Sequence, residues 1–149
     1  MRSGNPWLVA GAGLSLAAAL LHIACIIGGP DWYRFFGAGE RMAQMAEAGR
    51  WGPALVAAGI AAMLGLAAAY ALSGAGLIAR LPLLRAGLVT ISAIYLARGL
   101  VVLKPSALAR PDLSPAFLLW SSLIVLVIGL VYAIGTWQAW DTLSQGKSN

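Results

Sequence analysis

Three stretches of this chain, residues 3–30, 51–79 and 113–140, contain no Asp, Glu, Lys or Arg, and a fourth, residues 86–103, is broken by a single charge, Arg98. The first three exceed the roughly 20 residues that a helix needs to cross about 30 Å of hydrocarbon, and the fourth just suffices. Hydrophobic residues make up 60% of the 149 and charged ones only 10%, against roughly a quarter charged in soluble domains. The expected fold is therefore all-α, an integral membrane four-helix bundle with spans at about 7–29, 52–76, 83–103 and 115–137. Four spans use nearly all of residues 1–149 and leave one membrane domain. The first run resembles a signal peptide, but its apolar stretch is far longer than the roughly 7–15 residues of such a region, so it reads as an uncleaved helix.

Four spans put both termini and the short connection 78–83 on one side, with segments 31–50 and 104–114 on the other. The terminal side carries Arg2, Arg80, Arg85 and Lys147; the loop side carries Arg34, Arg41, Arg50, Lys104 and Arg110. That near-balance leaves the positive-inside rule undecided by counting. Arg80 and Arg85 bracket a very short loop at helix ends, whereas the loop-side arginines are mixed with Asp31, Glu40, Glu47 and Asp112, which favours cytoplasmic termini in an inner membrane. Trp7, Trp32, Trp51, Trp137 and Trp140 fall near span ends as an interfacial belt, and Trp120 lies about a turn inside. Cys25 is the only cysteine, so no intrachain disulfide is possible. The net charge of +5 suits anionic headgroups. Nucleic acid is not an expected partner, for no basic, aromatic-bearing soluble surface is present.

Small residues recur along the first span at Gly11, Ser15, Ala18, His22, Cys25 and Gly29, and along the second at Ala58, Ala62, Gly65, Ala69, Leu72 and Gly76. Steps of three and four place each set on one helical face, where small side chains let helices approach in lipid. Segment 31–50 begins with an aromatic interfacial stretch and then reads as an amphipathic helix over about 39–48, ended by Gly49. Glu40, Gln44 and Glu47 share one face of it, with Met42, Met45 and Ala46 on a weaker apolar side. This helix either lies on the bilayer surface or folds inward as a lid.

Helical rise gives depth. His22 and Arg98 lie on the order of 9–12 Å in from the loop-side face, and Ser121 and Ser122 reach a similar level. Tyr95 neighbours Arg98 one turn away. A charged side chain at that depth costs roughly 2.5–3.5 kcal/mol on translocon scales and normally faces the bundle interior or water. Arg98 therefore pairs with Glu40, Asp31 or a bound anion, or else snorkels to the headgroups on its long stem. His22, Arg98, Tyr95, Glu40, Asp31 and Ser121 form the expected ligand-binding set.

The chain contains no HExxH, GxSxG, P-loop or cysteine pair, so the sequence assigns no catalytic residue. A lone histidine rules out a bis-histidine haem, and a Cu(I) site from His22, Cys25, Met42 and Met45 has nothing to fix its geometry. No cofactor or metal is expected. The layout resembles that of small four-span bacterial inner-membrane proteins, a likeness of architecture that carries no residue roles. The preferred expectation is binding, or help in transport, of a lipid or small hydrophobic or anionic molecule in a cavity open to the 31–50 side. One alternative is an intramembrane enzyme using His22, Glu40 and Arg98. The other is an accessory subunit, docked through its small-residue faces in a homo-oligomer or a larger membrane complex.

Overall fold

The computed structural model describes residues 4–104 and 115–144, all of its regular structure helical. Arg2, Arg110, Asp112 and Lys147, used above to weigh orientation, lie outside the described residues. Four long helices, α1 (Pro6–Gly28), α4 (Gly52–Gly74), α5 (Leu84–Gly99) and α6 (Pro115–Gln138), form an antiparallel bundle. A 3₁₀ turn (Leu100–Leu103) lengthens α5 to 20 residues, and all four helices are then long and apolar enough to cross a membrane. Their ends differ from the sequence expectation by at most two residues. Two short helices, α2 (Pro30–Phe35) and α3 (Glu40–Glu47), connect α1 to α4, and α7 (Trp140–Ser144) follows α6.

Local chemistry sets these boundaries. Pro6 opens α1, and the Asn5 side chain accepts hydrogen bonds from the Trp7 and Leu8 amides at 3.0 and 3.2 Å, satisfying donors that the first turn leaves free. Pro30 begins α2 directly after Gly29. Gly37 and Gly49 take φ of +67°, the left-handed conformation that turns the next amides, of Ala38 and Arg50, back to the Tyr33 and Met45 carbonyls and closes α2 and α3.

The four long helices form a ring in the order α1, α4, α5, α6, with the most extensive contacts between α1 and α4 and between α5 and α6. In lipid, helices gain little from apolar burial and associate through close packing. The glycines show where this happens. A Cβ on Gly99 would stand 2.7 Å from the Leu126 backbone, and one on Gly129 would stand 2.9 Å from the Leu96 amide, so α5 and α6 meet backbone to backbone at two levels. Gly11 admits the Tyr132 ring, and Gly135 admits Leu8. Leu8, Leu88 and Tyr132, each fully buried, fill the axis in its terminal half.

The expected seam on α1 does turn inward, with Gly11, Ser15 and Cys25 buried and Ala18 and His22 half-buried. On α4 the expected set is only partly inward. Gly65, Ala69 and Leu72 are half-buried and Ala58, Ala62 and Gly76 exposed, whereas the buried face runs through Pro53, Ala57, Ala61, Ala68 and Ala71. Alanine and glycine occur all round this helix, so spacing alone offers several equivalent stripes and the neighbours choose among them. All six tryptophans are exposed. Trp7, Trp137 and Trp140 ring the terminal end, and Trp32, Trp51 and Trp120 the loop end.

Because Gly99 has no space for a methyl group, Gly99→Ala should overpack the α5–α6 contact and destabilise by about 1–3 kcal/mol. Gly65→Ala, with nothing within 4 Å of the added carbon, should be neutral or better. Thermal unfolding of both variants in the same detergent checks the contrast.

Candidate functional site

The polar residues that the depth count groups together separate into distinct sites. The first is a clasp on the 31–50 segment. Arg34 donates from Nε and Nη2 to the two Glu40 oxygens at 2.9 and 2.8 Å and from Nη1 to Glu47 at 2.7 Å. Asp31 stands 3.6 Å from the same guanidinium, and Gln44 donates to Glu40 at 3.3 Å. The expected face of Glu40, Gln44 and Glu47 is thus real, and it serves Arg34. This pairing holds the Glu40 carboxyl below its ordinary range, through the hydrogen bonds to Arg34 first, and raises the Arg34 guanidinium. Beneath the clasp, Tyr33 and Ala43 pack on Cys25 and Ala57, so the segment lies on the ends of α1 and α4. The Tyr33 hydroxyl, though buried, has no hydrogen-bond partner among the described residues.

The second site is a hydroxyl network on the bundle axis. Ser15 Oγ lies 2.9 Å from Tyr95 Oη and 2.9 Å from Tyr132 Oη, and the tyrosine rings contact each other at 5.3 Å between centroids. Serine has one proton, so at least one tyrosine donates to it. The network joins α1, α5 and α6 near mid-membrane. Tyr95 is therefore turned to the axis and away from Arg98.

Arg98 itself is exposed, and its Nη1 donates to Ser122 Oγ on α6 at 3.2 Å. The expected pairing with Glu40 or Asp31 is not formed. Both acids belong to Arg34, which is only six residues before Glu40 and needs no deep partner. Ser121 instead donates to the Leu118 carbonyl of its own helix at 3.3 Å. His22 Nδ1 lies 2.8 Å from the Ala18 carbonyl, and since a carbonyl only accepts, Nδ1 carries the proton. Of the six expected residues, then, Glu40 and Asp31 share one site, while Arg98, Tyr95, Ser121 and His22 each bond elsewhere.

A cavity lies at the opposite end of the bundle. A groove of about 720 Å³ opens between the α4–α5 connection and α7, lined among others by Arg80, Leu83, Arg85, Val89, Trp140 and Ser144. Arg85 stacks over the Trp140 ring at 3.4 Å and donates to Ser144 at 2.9 Å. Arg80 donates to the Thr142 carbonyl at 3.4 Å and to that of Leu143, complementing the negative end of α7. Leu83, exposed on the lip, adopts φ +50°, ψ +33°, a left-handed conformation that costs a branched residue on the order of 1–3 kcal/mol. Sequence reading uses Arg80 and Arg85 to orient the chain and places Trp140 in the interfacial belt. What it misses is that α7 folds back and brings them together, and the only signal is the pair of arginines around Pro82.

The chain matches no family model, no curated protein and no solved structure.

Two outcomes test these sites. Ser15→Ala leaves two buried tyrosine hydroxyls without their shared partner and should cost about 1–3 kcal/mol, and adding Tyr95→Phe and Tyr132→Phe should restore part of it, as read by unfolding in micelles. Glu40 is depressed in the folded state, so its contribution is present above the ordinary carboxylate pKa of about 4.3 and is lost as pH falls through its lower folded value. The protection of the α3 amides, taken relative to their intrinsic exchange at each pH, should therefore fall under acid in the wild type, and be already low at neutral pH in Arg34→Gln.

Proposed function

We propose that this chain is a bacterial-type inner-membrane binding protein for an anionic amphiphile, seated in the terminal-side groove with its charged group at Arg85 and its alkyl part against Leu83, Val89 and Trp140. The observation that carries this reading is the stacking of Arg85 on Trp140 inside a cavity of about 720 Å³ otherwise walled mostly by leucine and proline. Ligand sites are concave, mostly apolar and supplied with a few converging polar groups. An arginine offers five donors in a fixed fork that suits phosphate and carboxylate. One of these donors goes to Ser144, leaving the others for a bound anion.

Cytoplasmic termini fit the same reading. Arg80 and Arg85 flank a connection of a few residues, the setting in which the positive-inside rule has most force. The cytoplasmic leaflet is also the one rich in anionic lipid, so the groove would open where its ligand is most abundant. Passage along the bundle axis has little support, because Leu8, Leu88 and Tyr132 fill it. The acid–base alternative needs Glu40 beside His22 and free to exchange a proton, whereas both of its oxygens engage Arg34.

Charge-assisted hydrogen bonds contribute roughly 1.5–3 kcal/mol each, and 1.4 kcal/mol is tenfold in affinity. Arg85→Ala and Trp140→Ala should each weaken phosphatidylglycerol binding by about tenfold in native mass spectrometry of delipidated protein. Ile94→Ala, remote from the groove, should leave it unchanged. Equal affinity in all four proteins would reject the reading.

A further inference from the structure

We infer that the charged group held in the terminal-side groove is a phosphate monoester with two negative charges, gripped between Arg80 and Arg85. The inference rests on the groove reading above and narrows its ligand from anionic amphiphiles at large to a monoester lipid.

Both arginines line the one groove, and their partners draw them together. Arg80 donates to the Thr142 and Leu143 carbonyls and Arg85 to the Ser144 hydroxyl, so the two guanidinium groups meet consecutive residues of α7, within a single helical turn. The fold sets this placement. Ser73 of α4 accepts from the Leu81 amide at 2.9 Å and donates to the Ala79 carbonyl at 3.0 Å, and Tyr70 donates to the Pro82 carbonyl at 3.1 Å. These bonds hold the chain on both sides of Arg80. Leu83 then turns it through its left-handed conformation, and Arg85 follows in the first turn of α5. Strain of this kind persists where surrounding contacts over-determine it, and it gathers at ligand sites.

Charge and donor number select the ligand. The partners of the two arginines among the described residues are neutral: carbonyls, a hydroxyl and the Trp140 ring. Asp141, the acid of α7, is not part of the described lining and forms no ion pair among the described residues. Of the five N–H donors on each guanidinium, Arg80 commits two and Arg85 one. Stacking on Trp140 uses the face of Arg85 and leaves its edge free. A carboxylate or a phosphodiester brings one charge and two free oxygens, enough for the edge of one arginine. A monoester has a third terminal oxygen and, above its second pKa of about 6, a second charge, which answers both arginines at one phosphorus. Cardiolipin divides the same charge between two diesters, a wider spacing than two guanidinium groups gathered on one turn.

Binding to the delipidated full chain in micelles tests this, with dioleoyl phosphatidic acid as the monoester and dioleoyl phosphatidylglycerol as the diester. At about pH 8 the wild type should bind the monoester about tenfold more tightly. At about pH 5, where the monoester has lost its second charge, the preference should fall towards parity. The diester does not titrate in this range, so it controls for Asp141, next to Trp140, and for Tyr70, which bonds to Pro82. Arg80→Gln, which keeps an amide donor for the α7 carbonyls, should erase the preference at the higher pH. Excess inorganic phosphate, lacking the alkyl part, should not displace the lipid. Equal wild-type affinity for the two lipids, a preference independent of pH, a preference that survives Arg80→Gln, tighter binding of cardiolipin, or displacement by phosphate would each overturn the inference. If Arg80→Gln does not fold, the wild-type comparison and its pH dependence still decide. Equal affinity together with weaker binding of both lipids in Arg85→Ala would overturn the monoester alone and leave the groove reading standing. Arg85→Ala without effect on either lipid would reject the groove reading, and the monoester with it.

Discussion

Ser15 is where the bundle is decided. Its hydroxyl bridges Tyr95 and Tyr132 at the middle of the hydrophobic span, where a polar group without a partner costs several kcal/mol and no water substitutes for it. Three helices must be rotated correctly for the bridge to form. Gly11, one turn before Ser15, gives the Tyr132 ring the space to reach it, and Gly135 on α6 gives Leu8 the reciprocal space. The same geometry puts aromatic rings on the axis and fills it.

A filled axis moves the chemistry to the perimeter. The described arginines with assigned roles all work at the edges of the bundle: Arg34 holds the α2–α3 cap, Arg80 and Arg85 bind α7, and Arg98 bonds across the α5–α6 contact. Each meets the cost of its charge differently. Arg34 has carboxylates in an exposed loop, Arg80 has helix carbonyls, Arg85 has an aromatic face and a hydroxyl, and Arg98 has one hydroxyl in apolar surroundings. Arg85 retains donors beyond its partners among the described residues, which is why the binding proposal rests on it.

Sequence carries the spans clearly, because an uncharged run of membrane length is rare outside a bilayer, and it carries the α3 helix through the spacing of Glu40, Gln44 and Glu47 and the stop at Gly49. Depth it carries only in part. Arg98 and Ser122 do bond, but the Gly99–Leu126 and Gly129–Leu96 contacts put Ser122 nearer the loop face, level with about Leu103, so the long arginine side chain reaches up to it. Azimuth is another matter, since counting along a helix says how deep a residue lies and not which way it points. For α1, His22, Ser15 and Gly11 mark one face, but α4 is small on every side and its contact face emerges only from packing. Arg34 is hard to see as the partner of Glu40, because the deeper arginine carries the greater desolvation cost and so looks the more in need of an acid. The groove is illegible for a different reason: it exists only once α7 turns back on the Arg80–Arg85 connection, and a five-residue helix has too little periodicity to announce itself.

A closed axis confines binding to the perimeter, and cysteine accessibility measures that closure directly. On a Cys25→Ser background, Ser15→Cys and Leu83→Cys would be treated with a small water-soluble thiol reagent applied from both faces of the membrane. A packed axis predicts rapid labelling at position 83 on the groove lip and none at position 15 from either side. Labelling of position 15 at a rate comparable to position 83 would mean that water reaches the centre of the bundle, and would contradict a closed axis.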